Sequence, residues 1–227
     1  KEFCRIYNNN CEIKQITHTI DIPYGAENIE FCASNYFLAY TLLNNLFVKT
    51  TKNTIQVTHD TNSNSVNGQT VSRNEFGIRK GIFWSPQGNY LAFFRKDEKN
   101  VTEYPLVDIS TPVASLNSIK YPMAGTQSEY ISLGIFNPKD SAITWINNEE
   151  SCADCYMTMV SWSPDEKYLY LGILNRGQYH LWFNKYDALS CLKIKTVFEE
   201  KSDKYVEPQH DLIFITDDPS RFIYWCS

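Results

Sequence analysis

The stretch "FWSPQGNYLAF", residues 83–93, decides how the rest of the chain is read. Two aromatic residues lead in, Ser85-Pro86-Gln87-Gly88-Asn89 forms a polar centre, and Tyr90-Leu91-Ala92-Phe93 leads out. Proline at the first central position of a turn presets φ near −65°, and glycine or a small acidic residue helps close it. Two apolar runs around such a turn predict a β-hairpin.

The same pattern recurs. "FCASNYFLAY" (31–40), "SWSPDEKYLYL" (161–171) and, more weakly, "ITDDPSRFIYW" (215–225) share the apolar lead-in, polar turn and apolar exit. Phe31 and Phe83 are 52 positions apart, Pro164 and Pro219 are 55 apart, and one interval, Pro86 to Pro164, is stretched to 78. Between the hairpins lie further strand pairs in "NLFVKTT"/"NTIQVTHD", "EYISLGIFNPKDSAITWINN" and "GQYHLWFNKYDALSCLKIKTVFEE". About four strands per repeated unit describes the blade of a β-propeller. The expected fold is therefore all-β: about four four-stranded blades, half of an eight-bladed ring. A large β-sandwich would place strands every 8 to 12 residues but would not repeat one hairpin at a single long period. No window shows a 3.6-residue apolar period free of turn residues or β-branched runs, so helices are not expected.

The stretched interval contains "RKDEKNVTEYPLVDISTPVASLNSIKYPMAGTQSEYISL". Its two Tyr-Pro steps disfavour central ladder positions. Its many apolar residues argue for an arm that leaves the blade and returns, about residues 95–127, rather than a solvated loop.

Composition narrows the function classes. Of 227 residues, 43% are hydrophobic and 21% charged, as in a globular protein, and an aromatic share of 15% leans towards strands. A formal net charge of −5 without clustered Lys and Arg gives no nucleic-acid footprint. No apolar run of about 18 residues predicts a membrane span. The opening "KEFCRIYNNN" has no apolar core of a signal peptide; one could have been removed or lie upstream. Of seven cysteines only Cys152 and Cys155 ("CADC") are close. A lone pair is a weak metal signal, and a local disulfide or free or distantly paired thiols remain open readings. No metal or other cofactor is expected. Asn100-Val101-Thr102 is a glycosylation acceptor pattern, relevant only in a secreted eukaryotic protein.

The runs "RNEFGIRKGIFWSPQGNYLAFFRKDE", "VTEYPLVDI", "YPMAGT", "SWSPDEKYLYLGILNRGQ" and "FEEKSDKYVEP" resemble, in order, the N-terminal propeller of the dipeptidyl peptidase IV family, particularly its bacterial-type members. The resemblance is clearest over residues 66–210. It implies serine exopeptidases that release N-terminal dipeptides with Pro or Ala second, built from an eight-bladed propeller and a C-terminal α/β-hydrolase carrying a Ser-Asp-His triad. This chain has no G-x-S-x-G nucleophile elbow, so no catalytic residue is assigned in it. The expectation is that residues 1–227 form part of the propeller region, cut at both ends, with the hydrolase absent. Its four histidines, at 18, 59, 180 and 210, neighbour no recognisable nucleophile; His59 and His210 read as surface or hydrogen-bonding residues.

The family places two adjacent glutamates where they grip the substrate's α-ammonium, and the distance from that anchor selects the bond two residues along. The matching dipeptide here is Asn74-Glu75, counted back from Trp84. Glu75 keeps the charge; Asn74 offers only an amide oxygen. Tyr205 in "KYVEP" matches a loop bordering the family's extended substrate pocket. The family's carbonyl-binding arginine would precede Lys1. Arg73 and Arg79 are read as facing solvent or pairing with nearby acids. The resemblance implies as partners a peptide with a free amino end, a C-terminal hydrolase domain and a homodimer through the arm at 95–127, with no nucleic acid. It also implies an extracytoplasmic setting. The alternative is a non-enzymatic propeller-like interaction module, and the coding sequence beyond Ser227 separates the two.

Overall fold

The computed structural model describes residues 2–4, 19–146, 154–215 and 218–226. Strand β1 (Glu2–Cys4) pairs antiparallel with β2 (Thr19–Asp21). Strands β3 (Glu27–Cys32), β4 (Phe37–Leu42), β5 (Asn45–Lys49) and β6 (Thr54–Gln56) follow as a four-stranded meander, the first sheet. The second sheet begins with β7 (Ser65–Asn67) and β8 (Ile82–Trp84), both paired to β9 (Leu91–Asp97). The ribbon β10 (Glu103–Asp108) and β11 (Ser115–Lys120) then leaves the sheet. The chain returns in β12 (Tyr130–Asn137) and β13 (Ala142–Trp145). The third sheet is the meander β14 (Tyr156–Trp162), β15 (Tyr168–Leu174), β16 (His180–Asp187) and β17 (Lys193–Lys201). The hairpin β18 (Ile213–Ile215) and β19 (Asp218–Ile223) falls at the fourth sequence copy. The fold is all-β, a partial β-propeller, as the repeat predicts. Among the described residues there is no α-helix, and none long and apolar enough to cross a membrane.

The sheets stack face to face because each central strand is apolar on both sides. Side chains alternate across a strand, and β9 shows the consequence. Leu91 and Phe93 enter a core with Ala39, Leu46 and Val48 of the first sheet, whereas Ala92 and Phe94 enter one with Leu169, Leu171 and Ile173 of the third. Strand β15 turns its other face, Tyr170, towards Phe214 and Phe222 of the last hairpin. Phe93, Phe94 and Phe136 are almost wholly buried, each worth about 1.5–3 kcal/mol of transfer free energy.

The Trp and the Ser of the W-S-P motif each have a physical role. Trp84 Nε1 donates to the Glu30 carbonyl of the first sheet at 3.1 Å, and Trp162 Nε1 donates to the Phe83 carbonyl of the second at 3.0 Å. Ser85 Oγ and Ser163 Oγ each accept the amide of the tyrosine five residues on, at 3.0 Å in both turns. The turns also clasp one another. Ser34 Oγ and Asn35 Nδ2 donate to the carbonyls of Pro86 and Gly88. The buried Glu166 carboxylate accepts the Gln87 amide and Asn89 Nδ2, both at 2.6 Å.

The arm runs between Asp97 and Tyr130, close to the expected span, in the connection from second to third strand of its sheet. Pro105 is tolerated because a two-stranded ribbon consists only of edges.

Candidate functional site

The first strand of each of the three larger sheets is irregular. In β3 the register shifts between Glu27 and Glu30, with Asn28 at φ +49°; in β14 it shifts between Thr158 and Ser161, with Met159 at φ +54°. In the second sheet the irregularity grows into a full excursion that splits the strand into β7 and β8. Phe94 closes its neck: its carbonyl accepts the Gly68 amide at 2.8 Å, and its own amide donates to the Gly81 carbonyl at 2.9 Å. A Cβ on Gly81 would lie 2.0 Å from the Gln69 carbonyl oxygen, so the two limbs touch where glycine alone fits. Residues 69–80 therefore form a compact Ω-loop, a form that is frequently functional.

The loop is anchored from within. Val71, Phe76 and Ile78 are buried, and the Phe76 ring lies 4.6 Å from that of Tyr156. Thr158 Oγ1 of the third sheet donates to the Phe76 carbonyl. Between these anchors the backbone makes a left-handed turn at Ser72, Arg73 and Asn74, with φ of +52°, +55° and +63°. Such a conformation costs an L-residue roughly 1–2 kcal/mol. The Asn74 amide bonds the Val71 carbonyl at 3.2 Å and the Glu75 amide bonds that of Ser72 at 3.0 Å. The buried Glu129 carboxylate accepts the Ser72 amide at 2.7 Å. Strain held by surrounding structure concentrates at functional positions.

The turn presents Asn74 and Glu75 side by side, both exposed. Among the described residues the Glu75 carboxylate makes no hydrogen bond or ion pair. Of the two readings of Arg73, solvent-facing or paired with an acid, the side chain is exposed and, among the described residues, pairs with no acid. Its guanidinium donates to the Lys120 carbonyl and sits 4.7 Å above the Tyr121 ring, both in the returning limb of the arm. Tyr205 is 64% exposed. Its segment is fastened to the β15–β16 turn by the Val206 amide on the Gln178 carbonyl, at 2.7 Å. Val206 and Phe76, the neighbours of Tyr205 and Glu75, belong to one apolar cluster, so both candidate residues flank the same end of the third sheet.

Sequence reasoning missed Arg176, whose Nη1 lies 2.6 Å from the Tyr156 hydroxyl. The ladder Arg176–Tyr156–Phe76 ends beside Glu75, and no local pattern links positions so far apart. Beside the loop a cavity of about 340 Å3 is lined by Gly77–Lys80, Phe83, Phe94, Thr158–Val160 and Gln209–Asp211, without Glu75. Asp211 is exposed by area, yet partial desolvation raises its pKa against the opposing pull of Lys80, Arg79 and His210. His210 also lies against Trp225, with ring centroids 5.7 Å apart. Cys155 is in a disulfide, whereas Cys152 and His18 lie outside the described residues. Among the described residues no group of three or more His, Cys, Asp or Glu could hold a metal.

An exposed carboxylate without a cationic partner, on a neck-closed loop, is a ready acceptor for an ammonium group. A family model for the dipeptidyl peptidase IV (DPP IV) N-terminal region matches residues 5–227. A crystallised chain from Bacteroides ovatus, described as a dipeptidyl aminopeptidase IV, superposes with a TM-score of 0.85 at 45% identity, covering 92% of this chain and 29% of that one. Porphyromonas gingivalis dipeptidyl peptidase 4 gives 0.75 at 26% identity, over 83% of this chain and 28% of that one. Dipeptidyl aminopeptidase B of Saccharomyces cerevisiae is 32% identical over 137 residues, 55% of this chain and 17% of the yeast protein. The chain thus spans less than a third of each of these proteins.

Proposed function

Because the chain belongs to the dipeptidyl peptidase IV family, as its N-terminal region, we propose that it is the substrate-gating part of a dipeptidyl peptidase and recognises the peptide's amino terminus. The longer enzyme would be a serine exopeptidase releasing N-terminal dipeptides with Pro or Ala second. The chain supplies recognition, and a C-terminal hydrolase region supplies the nucleophile. The observation that carries the reading is Glu75: a solvent-facing carboxylate without a partner among the described residues, on a left-handed turn that Glu129 holds from below.

Chemically, the α-ammonium of a peptide donates to the Glu75 carboxylate and to the Asn74 amide oxygen. A charge-assisted hydrogen bond of this kind is worth about 1.5–3 kcal/mol. Holding the amino end fixes how far the chain reaches, so the bond after the second residue meets the nucleophile. Tyr205 borders the path of the following residues. The inserted arm, with Leu106, Val107, Ile109, Val113 and Leu116 exposed, is a homodimer contact in this reading, and the protein works outside the cytoplasm.

The test is Glu75→Gln in the full-length protein. KM for dipeptidyl substrates with a free amino end should rise about tenfold or more, with a smaller change in kcat. Unchanged affinity for such peptides would defeat the reading.

A further inference from the structure

Besides Glu129 on the Ser72 amide, the returning limb of the arm touches the recognition loop at the side chain of Arg73, two positions before Glu75. This arginine is exposed, as is Glu75, and it is the cation closest to that carboxylate along the chain. Its guanidinium is nevertheless turned onto the Lys120 carbonyl and the face of Tyr121. The parking place is itself fixed. The Tyr121 amide donates to the Thr102 carbonyl at 2.9 Å, and Thr102 Oγ1 donates back to the Tyr121 carbonyl at 2.8 Å. The Tyr121 ring also lies 5.8 Å from that of Tyr104. The Lys120 ammonium is occupied within the arm, on the Val101 carbonyl at 3.1 Å and near Glu103 at 3.6 Å.

We propose that Tyr121, with the Lys120 carbonyl, is a positioning residue that keeps Arg73 off Glu75 and so keeps the carboxylate open to the substrate's ammonium. The inference rests on the reading of Glu75 as the amino-terminus anchor. A guanidinium matches a carboxylate in a two-pronged geometry that a peptide ammonium cannot reproduce. It is also tethered, so it competes at a high effective concentration. Stacking on an aromatic face removes that competitor without removing its charge from the surface. The returning limb thereby acts on the site twice, through Glu129 on the backbone of the turn and through Tyr121 on Arg73. Whatever displaces the arm's returning limb lowers recognition of free amino ends.

The experiment is a set of cycles in the full-length enzyme, read as KM and kcat on a chromogenic dipeptide substrate with a free amino terminus. Tyr121→Ala should raise KM roughly two- to fivefold, the factor that an exposed ion pair commands, with kcat retained. Adding Arg73→Ala should return KM towards the original value, because the released competitor is gone. Tyr121→Phe, which keeps the ring face, should behave as the parent, and Tyr121→Leu should reproduce Tyr121→Ala if the alanine variant folds poorly. In a Glu75→Gln background Tyr121→Ala should have no further effect on KM. A KM untouched by Tyr121→Ala and Tyr121→Leu, or a double variant no better than Tyr121→Ala alone, overturns the inference. Glu75→Gln by itself separates the two levels. If it leaves KM unchanged the anchor reading fails; if it raises KM while Arg73→Ala gives no rescue, only the role of Tyr121 fails.

Discussion

The indole Nε1 of Trp162 donates a hydrogen bond of 3.0 Å to the backbone carbonyl of Phe83, joining the third sheet to the second. Trp84 makes the corresponding bond one sheet earlier, to Glu30 at 3.1 Å. One residue type at one position of the repeat therefore both fills the space between sheets and satisfies a carbonyl that stacking removes from water. Trp162→Phe keeps most of the bulk and deletes the donor. The expected loss is about 1–3 kcal/mol, the cost of an unsatisfied buried acceptor. Thermal or urea unfolding of the full-length protein measures it, and a loss near zero would mean that water replaces the indole.

Gly77 follows the buried Phe76 in the recognition loop, at φ +73°. A Cβ there would stand 2.6 Å from the Gln209 carbonyl oxygen, which is backbone and cannot swing aside. Gly77→Ala should cost about 2–4 kcal/mol from left-handed strain and overpacking together. Because the same backbone carries Glu75, the variant should also raise KM for free-amino peptides. Unfolding midpoints and kinetics read on one preparation check both.

Asn74 occupies φ +63°, a region in which asparagine is among the better-tolerated residues. Asn74→Glu would add a second carboxylate at the expense of about 1 kcal/mol of backbone preference. The expected outcome is a KM roughly tenfold lower for substrates with a free amino end and a slightly lower unfolding midpoint. N-acetylated peptides of the same sequence should show no gain.

Cys191 is buried and its thiol is pushed up to about 12, by desolvation first and by the nearby Asp187 second. A raised folded-state pKa leaves stability intact below the ordinary thiol range. The contribution is lost as pH climbs from that range towards 12, because the unfolded chain releases its proton first. The thiolate is the reactive form, so Cys191 should resist alkylation at pH 8 until the protein unfolds, while the exposed, free Cys226 reacts at once. Peptide mapping after timed labelling distinguishes the two. Rapid native labelling of Cys191 would contradict its packing.

The repeat of hairpins was legible in the sequence because its causes are local. The turn is marked by Ser-Pro and closes through a positive φ, at Gly88 in one copy and at Glu166 in the next, and strands need apolar alternation on either side. The arm was legible because it stretches one interval of an otherwise regular spacing. Glu75 and Asn74 could be singled out by resemblance, but nothing in their neighbours announces a left-handed turn. That turn depends on Glu129, 57 residues from the Ser72 amide it holds.

The chain's own pattern, then, determined an all-β repeat, its hairpins, its arm and the residue types offered to a ligand, since each follows from periodicity and turn chemistry within a few residues. Only the tertiary structure decided that the first strand of the second sheet is split by a loop closed at Phe94. It likewise decided that Arg73 is turned onto Tyr121 and that Glu75 is left without a partner among the described residues. Those outcomes depend on groups far apart in the chain, and contacts of that kind form only when the sheets stack and the arm folds back.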